Sequence, residues 1–240
     1  MRPLFDKSGG YRKLHSFTFA TMIHLGTIRF CKRFIPYQED PLGKTAGQMI
    51  GAARSGRQNI IEASERSATS KETEIKLTDV ARASLAELLG DYEIFLAERG
   101  MIPWSVNSLE YQTVARANPL PFSYAGDTLH NYWRYFHESR IIFAPWLDHS
   151  DPAIVANTLI VLISRTMAML AAQLKSQGQN FLGDGGFRER MAQCRNETNK
   201  SPESPTCPDC SQPMRQRKTR DGTMFWGCSA YPVCKTTKKI

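Results

Sequence analysis

Four of the six cysteines lie close together near the C-terminus, in Cys207-Pro-Asp-Cys210 and Cys228-Ser-Ala-Tyr-Pro-Val-Cys234. The two pairs are separated by 17 residues. Each pair fits a tight turn, and two such thiolate pairs converge into the tetrahedral S4 donor set that suits Zn²⁺. Four cysteine ligands leave no open coordination position, so one structural zinc ion is expected rather than a catalytic one. Two disulfides are the alternative use of the same residues. Cys31 and Cys194 stand apart from them.

The residues around these cysteines suit a polyanion. Arg215, Arg217, Lys218, Arg220 and Lys235 supply phosphate contacts, and Phe225, Trp226 and Tyr231 offer faces on which bases stack. The competing reading is that Trp226 and Tyr231 only cover the metal site. The chain is +8 overall, and the excess is concentrated at this end. Residues 200–240 hold eight basic and three acidic groups, whereas residues 1–199 hold 23 and 20. Zinc on four thiolates adds −2, which leaves the folded tail at about +3.

Met214–Lys218 and Thr223–Gly227 read as two short strands that carry these side chains, with a turn at Asp221-Gly222. A module of roughly 30 residues has too little core to fold alone. Metal binding can supply about 10–16 kcal/mol of apparent folding free energy. Ahead of the module, residues 196–206 are polar with two prolines and read as a linker. A flexible segment of that length would span about 18 Å r.m.s..

The rest of the chain, residues 1–195, carries helical periodicity and no strand pattern before residue 205. Residues 14–34 form a first helix, stopped by Pro36. A second runs from about Leu42 to Arg66, with Met49, Ile50, Ala53, Ile60 and Ile61 on one face. A third, to about Arg99, opens with a capping box of Thr69 and Glu72. Residues 101–150 are a helical insertion with short helices at 108–117 and 128–139. A fourth long helix opens at Asp151-Pro152 and stops at Gly178. A Gly-rich turn, residues 183–186, then leads to a short amphipathic segment ending near Arg195. The expected fold is all-α, an antiparallel four-helix bundle, with a C-terminal β-type zinc ribbon at 207–240.

Residues 153–172 are the most apolar stretch, but Asn157 and Arg165 lie inside it. A central Arg costs about 2.5–3.5 kcal/mol in a bilayer, so a core helix is expected and no membrane partner. With no apolar run near Met1 and with thiols read as reduced, the expected location is cytoplasmic. Hydrophobic residues at 41% and charged residues at 22% exclude a disordered chain.

The tail resembles the four-cysteine zinc ribbon at the C-terminus of type IA bacterial topoisomerases. The matching residues are Cys207-Pro-x-Cys210, Met214, Arg217, Phe225-Trp226-Gly227-Cys228-Ser229, Tyr231-Pro232 and Cys234-Lys235. Ser211 stands where that family usually has Gly. The resemblance implies binding of DNA, chiefly single-stranded, without cleavage.

Residues 8–195 resemble the bacterial four-helix-bundle proteins of ribosomal RNA intervening sequences, and most closely their "four helix bundle suffix domain" relatives. Ser8-Gly-Gly-Tyr-Arg-Lys-Leu14, Gln48-Met-Ile50, Ala53-Arg-Ser-Gly56, Gln58-Asn-Ile60, Thr69-Ser-Lys71, Val80-Ala-Arg-Ala-Ser-Leu85 and Gly185-Gly-Phe187-x-Glu189-Arg190 carry it. Ala63 replaces a usual Gly. The resemblance implies a homo-oligomer, a pentamer in relatives, and one relative assists reverse transcription and binds nucleic acid. It also implies that Asn59, Glu62, Ser84 and Glu87 form a polar structural motif, a network between adjacent helices. An enzymatic site is the competing reading of those four. Arg54, Arg57, Arg66, Lys71 and Arg82, with Lys76, offer a basic surface on the bundle, set against a solvated face neutralised by Glu62, Glu65, Glu72 and Glu74. Tyr132, Trp133, Tyr135 and Phe136 read as core or interface aromatics rather than base-stacking ones.

Catalytic chemistry finds little support. Glu74-Ile-Lys76 has the Glu-x-Lys form but sits in a helix, and Gly183-Asp-Gly-Gly186 lacks the Lys and Ser/Thr of a phosphate loop. The expectation is therefore a non-catalytic protein that binds DNA or RNA, with single strands favoured, as an accessory to reverse transcription, DNA processing or defence. The alternatives are a scaffold for a polymerase or nuclease partner, or a metal-dependent nuclease.

Overall fold

The computed structural model describes residues 9–122, 128–184, 189, 191–192, 204–219 and 221–239. The chain divides into two compact units, Met1–Phe187 and Arg188–Ile240. Ser8, Gly185, Gly186, Phe187, Arg190, Cys194 and Arg220 lie outside the described residues, as do residues 196–203 of the expected linker and most of the segment ending near Arg195.

The first unit is helical. After a 3-10 turn at Tyr11–Lys13 come α1 (His15–Phe34), α2 (Lys44–Arg66), α3 (Lys71–Glu98), α4 (Leu109–Arg116), α5 (Thr128–Leu147) and α6 (Pro152–Asp184). α1 and α3 each pack on both α2 and α6. The side-chain pairings fix the directions. Arg57 meets Thr21 and the Gly9 N–H meets Ser64 O, so α2 runs against α1. Ser84 of α3 meets Ser55 of α2, and Gln177 of α6 meets Glu74 and Thr78 of α3. The core lies among these four, with Phe17, Phe30, Tyr92, Leu85, Leu159 and Ile163 fully or almost fully buried. Buried Tyr92 donates its hydroxyl to Thr27 Oγ1 at 2.9 Å.

Several element ends differ from expectation for local reasons. The third helix is capped by Ser70, whose Oγ accepts from the Thr73 N–H at 3.2 Å, and not by Thr69. α6 continues past Gly178, because Gln177 donates to Glu74 and Thr78 of α3 and so anchors that turn. A Gly inside a helix costs about 1 kcal/mol, which such tertiary contacts outweigh. α5 extends to Leu147 with Pro145 in its last turns. Its Tyr132, Tyr135 and Phe136 are buried, and Trp133 is partly exposed.

α6 is the one described helix long and apolar enough to cross a membrane by length and composition, and most of its apolar window is buried in the unit. Its two polar interruptions have partners. Asn157 Oδ1 accepts from the Trp104 N–H at 2.7 Å. Arg165 donates to the Val114 and Ala117 carbonyls, and so caps the C-terminus of α4.

The second unit holds a three-stranded antiparallel sheet, in order β1 (Met214–Lys218), β2 (Met224–Cys228), β3 (Thr237–Lys239). The first strand falls where it was expected, and the second lies one residue beyond the expected 223–227. The third was not expected, since Thr-Lys-Lys has no apolar face. The β1–β2 turn is closed by a Gly222 N–H to Thr219 O bond at 3.1 Å, with Gly222 at φ 94°, a left-handed conformation that glycine adopts without strain.

Candidate metal centre and nucleic-acid interface

The register of the sheet sorts its side chains. Met214 opposes Cys228, Gln216 opposes Trp226, and Lys218 opposes Met224, so these share one face. Cys207, Met214, Trp226 and Cys228 are buried together there as the core of the unit. Arg215, Arg217, Phe225, Gly227, Thr237 and Lys239 share the opposite face.

The four cysteines converge. Their sulfurs all lie within 4.8 Å of one another. Cys207 and Cys234 Sγ are 3.7 Å apart, and Cys210 and Cys228 Sγ 3.3 Å. Neither pair is a disulfide, which needs about 2.05 Å. A tetrahedron with metal–sulfur bonds of about 2.3 Å has edges of about 3.8 Å, so the donor set fits one divalent ion.

Electrostatics support the same reading. Burial raises the Cys207 thiol, but the Asp209 and Cys210 backbone N–H groups and the neighbouring sulfurs outweigh it and bring it to about 6. Cys234 is lowered chiefly by the Thr236 hydroxyl. Cys210 benefits from the Gln212 N–H, yet its bonds to Cys228 and the other sulfurs drive it to about 12. Four sulfurs this close cannot all ionise by themselves, and a cation in their midst removes the conflict.

Outer contacts hold the ligands. The Ala230 N–H points at Cys228 Sγ, 3.4 Å away. Thr236 Oγ1 lies 3.2 Å from Cys234 Sγ and donates to the Asp209 carboxylate. Such partners orient the ligating sulfurs, and sequence reading missed both Thr236 and Asp209. Ser211, at the usual Gly position of the first knuckle, adopts φ 58°, so the turn keeps its left-handed form with a strained residue in it.

The expected nucleic-acid contacts divide between the two faces. Arg215 and Arg217 are exposed beside partly buried Phe225. Arg217 reaches over the exposed Tyr231 ring, 5.3 Å from its centre. Lys239, opposite Phe225 on β3, joins them and was not foreseen. Three polar residues in Thr237-Lys238-Lys239 carried no strand signal. Lys218 and Lys235 are exposed elsewhere on the unit. Trp226 is corrected: at 7% exposure it is part of the core beside the metal ligands, so it has no free face for stacking. Arg220 lies outside the described residues.

On the helical unit, Asn59 and Ser84 both hydrogen-bond Ser55, at 3.1 Å each, while Glu62 and Glu87 are exposed and take no part. Lys71 pairs with Glu74 at 3.0 Å, Lys76 with Glu72 at 2.6 Å and Arg82 with Asp79 at 2.8 Å. Glu74 and Lys76 therefore serve different partners. Arg54 and Arg66 are exposed, and Arg57 is half-buried.

Residues 204–240 match the family described as topoisomerase DNA binding C4 zinc finger. No curated protein and no solved structure matches the chain. The matched ribbon suggests nucleic-acid binding, and its four clustered cysteines suggest a bound metal.

Proposed function

We propose that the protein is a non-catalytic nucleic-acid-binding protein whose C-terminal ribbon holds one structural Zn²⁺ and grips single-stranded DNA or RNA. The observation that carries this reading is the composition of one sheet face. Arg215, Arg217 and Lys239 surround Phe225, with Tyr231 beside Arg217. Cations that track phosphates, set next to rings that receive bases, are what sequence-tolerant single-strand binding requires. Cys207, Cys210, Cys228 and Cys234 would hold the zinc. Its chemistry there is to neutralise the thiolates and fix the two knuckles that support the sheet.

In this reading the four long helices α1, α2, α3 and α6 form an antiparallel four-helix bundle that assembles with copies of itself in a reducing, cytoplasmic setting. Exposed Val80 and Ile94 on α3 supply apolar surface for that assembly. Several weak ribbons on one oligomer gain affinity by avidity, often by about 10²–10⁴. Service to reverse transcription, DNA processing or defence belongs to the same proposal.

The test is a fluorescence-anisotropy titration of the full chain with labelled single strands at several salt concentrations. Three phosphate contacts predict a log–log slope of about −2, from about −0.7 per contact. A slope near zero overturns the reading.

A further inference from the structure

Six cations of the helical unit pair with a carboxylate. Arg29 and Arg140 pair with Asp148, Lys71 with Glu74, Lys76 with Glu72, Arg82 with Asp79 and Arg99 with Glu39. Three others are gathered in one place, close enough for Arg12 and Arg54 to act on Arg57. Arg12, Arg54 and Arg57 have no carboxylate partner among the described residues, and they share one patch where the 3-10 turn, α1 and α2 meet.

The patch is built on two rings. Tyr11 and Phe17 meet edge to face, with centroids 4.7 Å apart. The Arg12 guanidinium carbon lies 4.7 Å from the Tyr11 ring centre, and that of Arg57 lies 5.0 Å from the Phe17 ring centre. Arg57 is fixed further by donating through Nε to Thr21 Oγ1 at 3.2 Å and through Nη1 to Gln58 Oε1 at 2.7 Å. Arg54 precedes it by one turn on α2 and is exposed. His24, about one turn beyond Thr21 on α1, completes the group. Burial, then Arg57 and Arg54, lower its pKa. Burial likewise lowers Arg57, with Arg12 and Arg54 adding to the effect. Like charges gathered in this way repel one another and favour an incoming anion.

We propose that Arg12, Arg54 and Arg57 form a second phosphate-binding surface, on the helical unit, that takes the backbone of a single-stranded nucleic acid. The inference rests on the reading of the ribbon as a strand binder. The Arg12 guanidinium, backed by the Tyr11 ring, offers a planar N–H fork of the kind that pairs with phosphate oxygens, exposed Arg54 adds a second one, and Arg57, whose Nε and Nη1 are already bonded, adds its charge. A phosphodiester chain is the repeating anion that suits three clustered cations.

The experiment compares four forms of the full chain in the salt titration on a labelled single strand: wild type, R12Q/R54Q, R12K/R54K and R215Q/R217Q. Arg12 and Arg54 make no hydrogen bond to the core, and an unchanged melting curve verifies each fold. The expected result is that R12Q/R54Q flattens the log–log slope by about 1.4, from about 0.7 per lost contact, while R12K/R54K keeps it. If R12Q/R54Q retains the wild-type slope and R215Q/R217Q does not, the second surface is overturned and the ribbon reading stands. If R215Q/R217Q retains it and R12Q/R54Q does not, the ribbon reading is overturned and the helical surface stands. A wild-type slope near zero overturns both.

Discussion

A Cβ placed on Gly227 would come within 3.0 Å of Arg217 Cδ, so Arg217 crosses the sheet over the β2 residue that has no side chain. The same arginine then reaches the Tyr231 ring. Gly227→Val fills that channel and drives Arg217 away from Tyr231. The expected outcome is a salt slope flatter by about 0.7 on single strands, the value of one contact. Metal stoichiometry should stay at wild type. Unaltered binding by Gly227→Val would show that the placement of Arg217 is immaterial.

Removing the metal should unfold the ribbon and spare the helical unit. A chelator, or Cys207→Ser with Cys210→Ser, takes away a contribution of about 10–16 kcal/mol that the small core around Trp226 cannot replace. Amide NMR signals of residues 204–239 should collapse to random-coil positions. The helical circular-dichroism melt should not move. A dispersed ribbon spectrum after metal removal contradicts this account.

Ser211 occupies a left-handed turn, φ 58°, at a cost of about 1–2 kcal/mol that glycine does not incur. Ser211→Gly should therefore tighten zinc binding by about fivefold or more, because metal binding and folding are coupled. Competition against a chromogenic chelator reads this directly. Weaker binding by the glycine variant would mean that the Ser211 side chain supports the knuckle.

Two glycines of α2 should respond to alanine with opposite signs. A Cβ on buried Gly56 meets Leu85 Cγ at 2.9 Å, in a core with no slack, whereas one on exposed Gly51 meets nothing within 4 Å. Overpacking costs about 1–3 kcal/mol, and alanine gains up to about 1 kcal/mol over glycine in a helix. Gly56→Ala should lower the melting temperature of the helical unit, and Gly51→Ala should raise it. Calorimetry of both variants checks the pair.

His24 makes the helical unit sensitive to acid. Burial, then Arg57 and Arg54, place its folded pKa below the ordinary histidine value of 6.5. The unfolded chain thus takes up the proton first, so stability is complete above about 6.5 and falls as pH drops from there toward the folded pKa. His24→Gln should flatten the melting temperature between about pH 7 and pH 5. Equal pH dependence in both forms would place the titrating group elsewhere.

How much of this was legible in the sequence depends on the range of the interaction. The cysteine spacing determined the metal site, since each knuckle is local and four soft ligands admit few arrangements. Apolar periodicity determined the helices, and the Asp221-Gly222 turn between two short segments pointed to β1 and β2. β3 was not legible, because Thr237–Lys239 becomes a strand only through its pairing with β2. The cap at Ser70 and the extension of α6 beyond Gly178 turned on single hydrogen bonds that compete with local preference.

The candidate interface divides in the same way. The sequence by itself determined that Arg215, Arg217, Phe225, Trp226 and Tyr231 lie near the metal ligands. Only the tertiary structure decided which of them face outward. The Met214–Cys228 register turns Trp226 into the core and leaves Arg215, Arg217 and Phe225 on the other face with Lys239, since a strand alternates sides at every residue. Charge obeys the same logic on the helical unit. Lys71 and Arg82 are paired with carboxylates three residues away, which a sequence can suggest. Arg12 and Arg57 come together because Tyr11 packs on Phe17, a contact between a turn and a helix that no sequence period encodes.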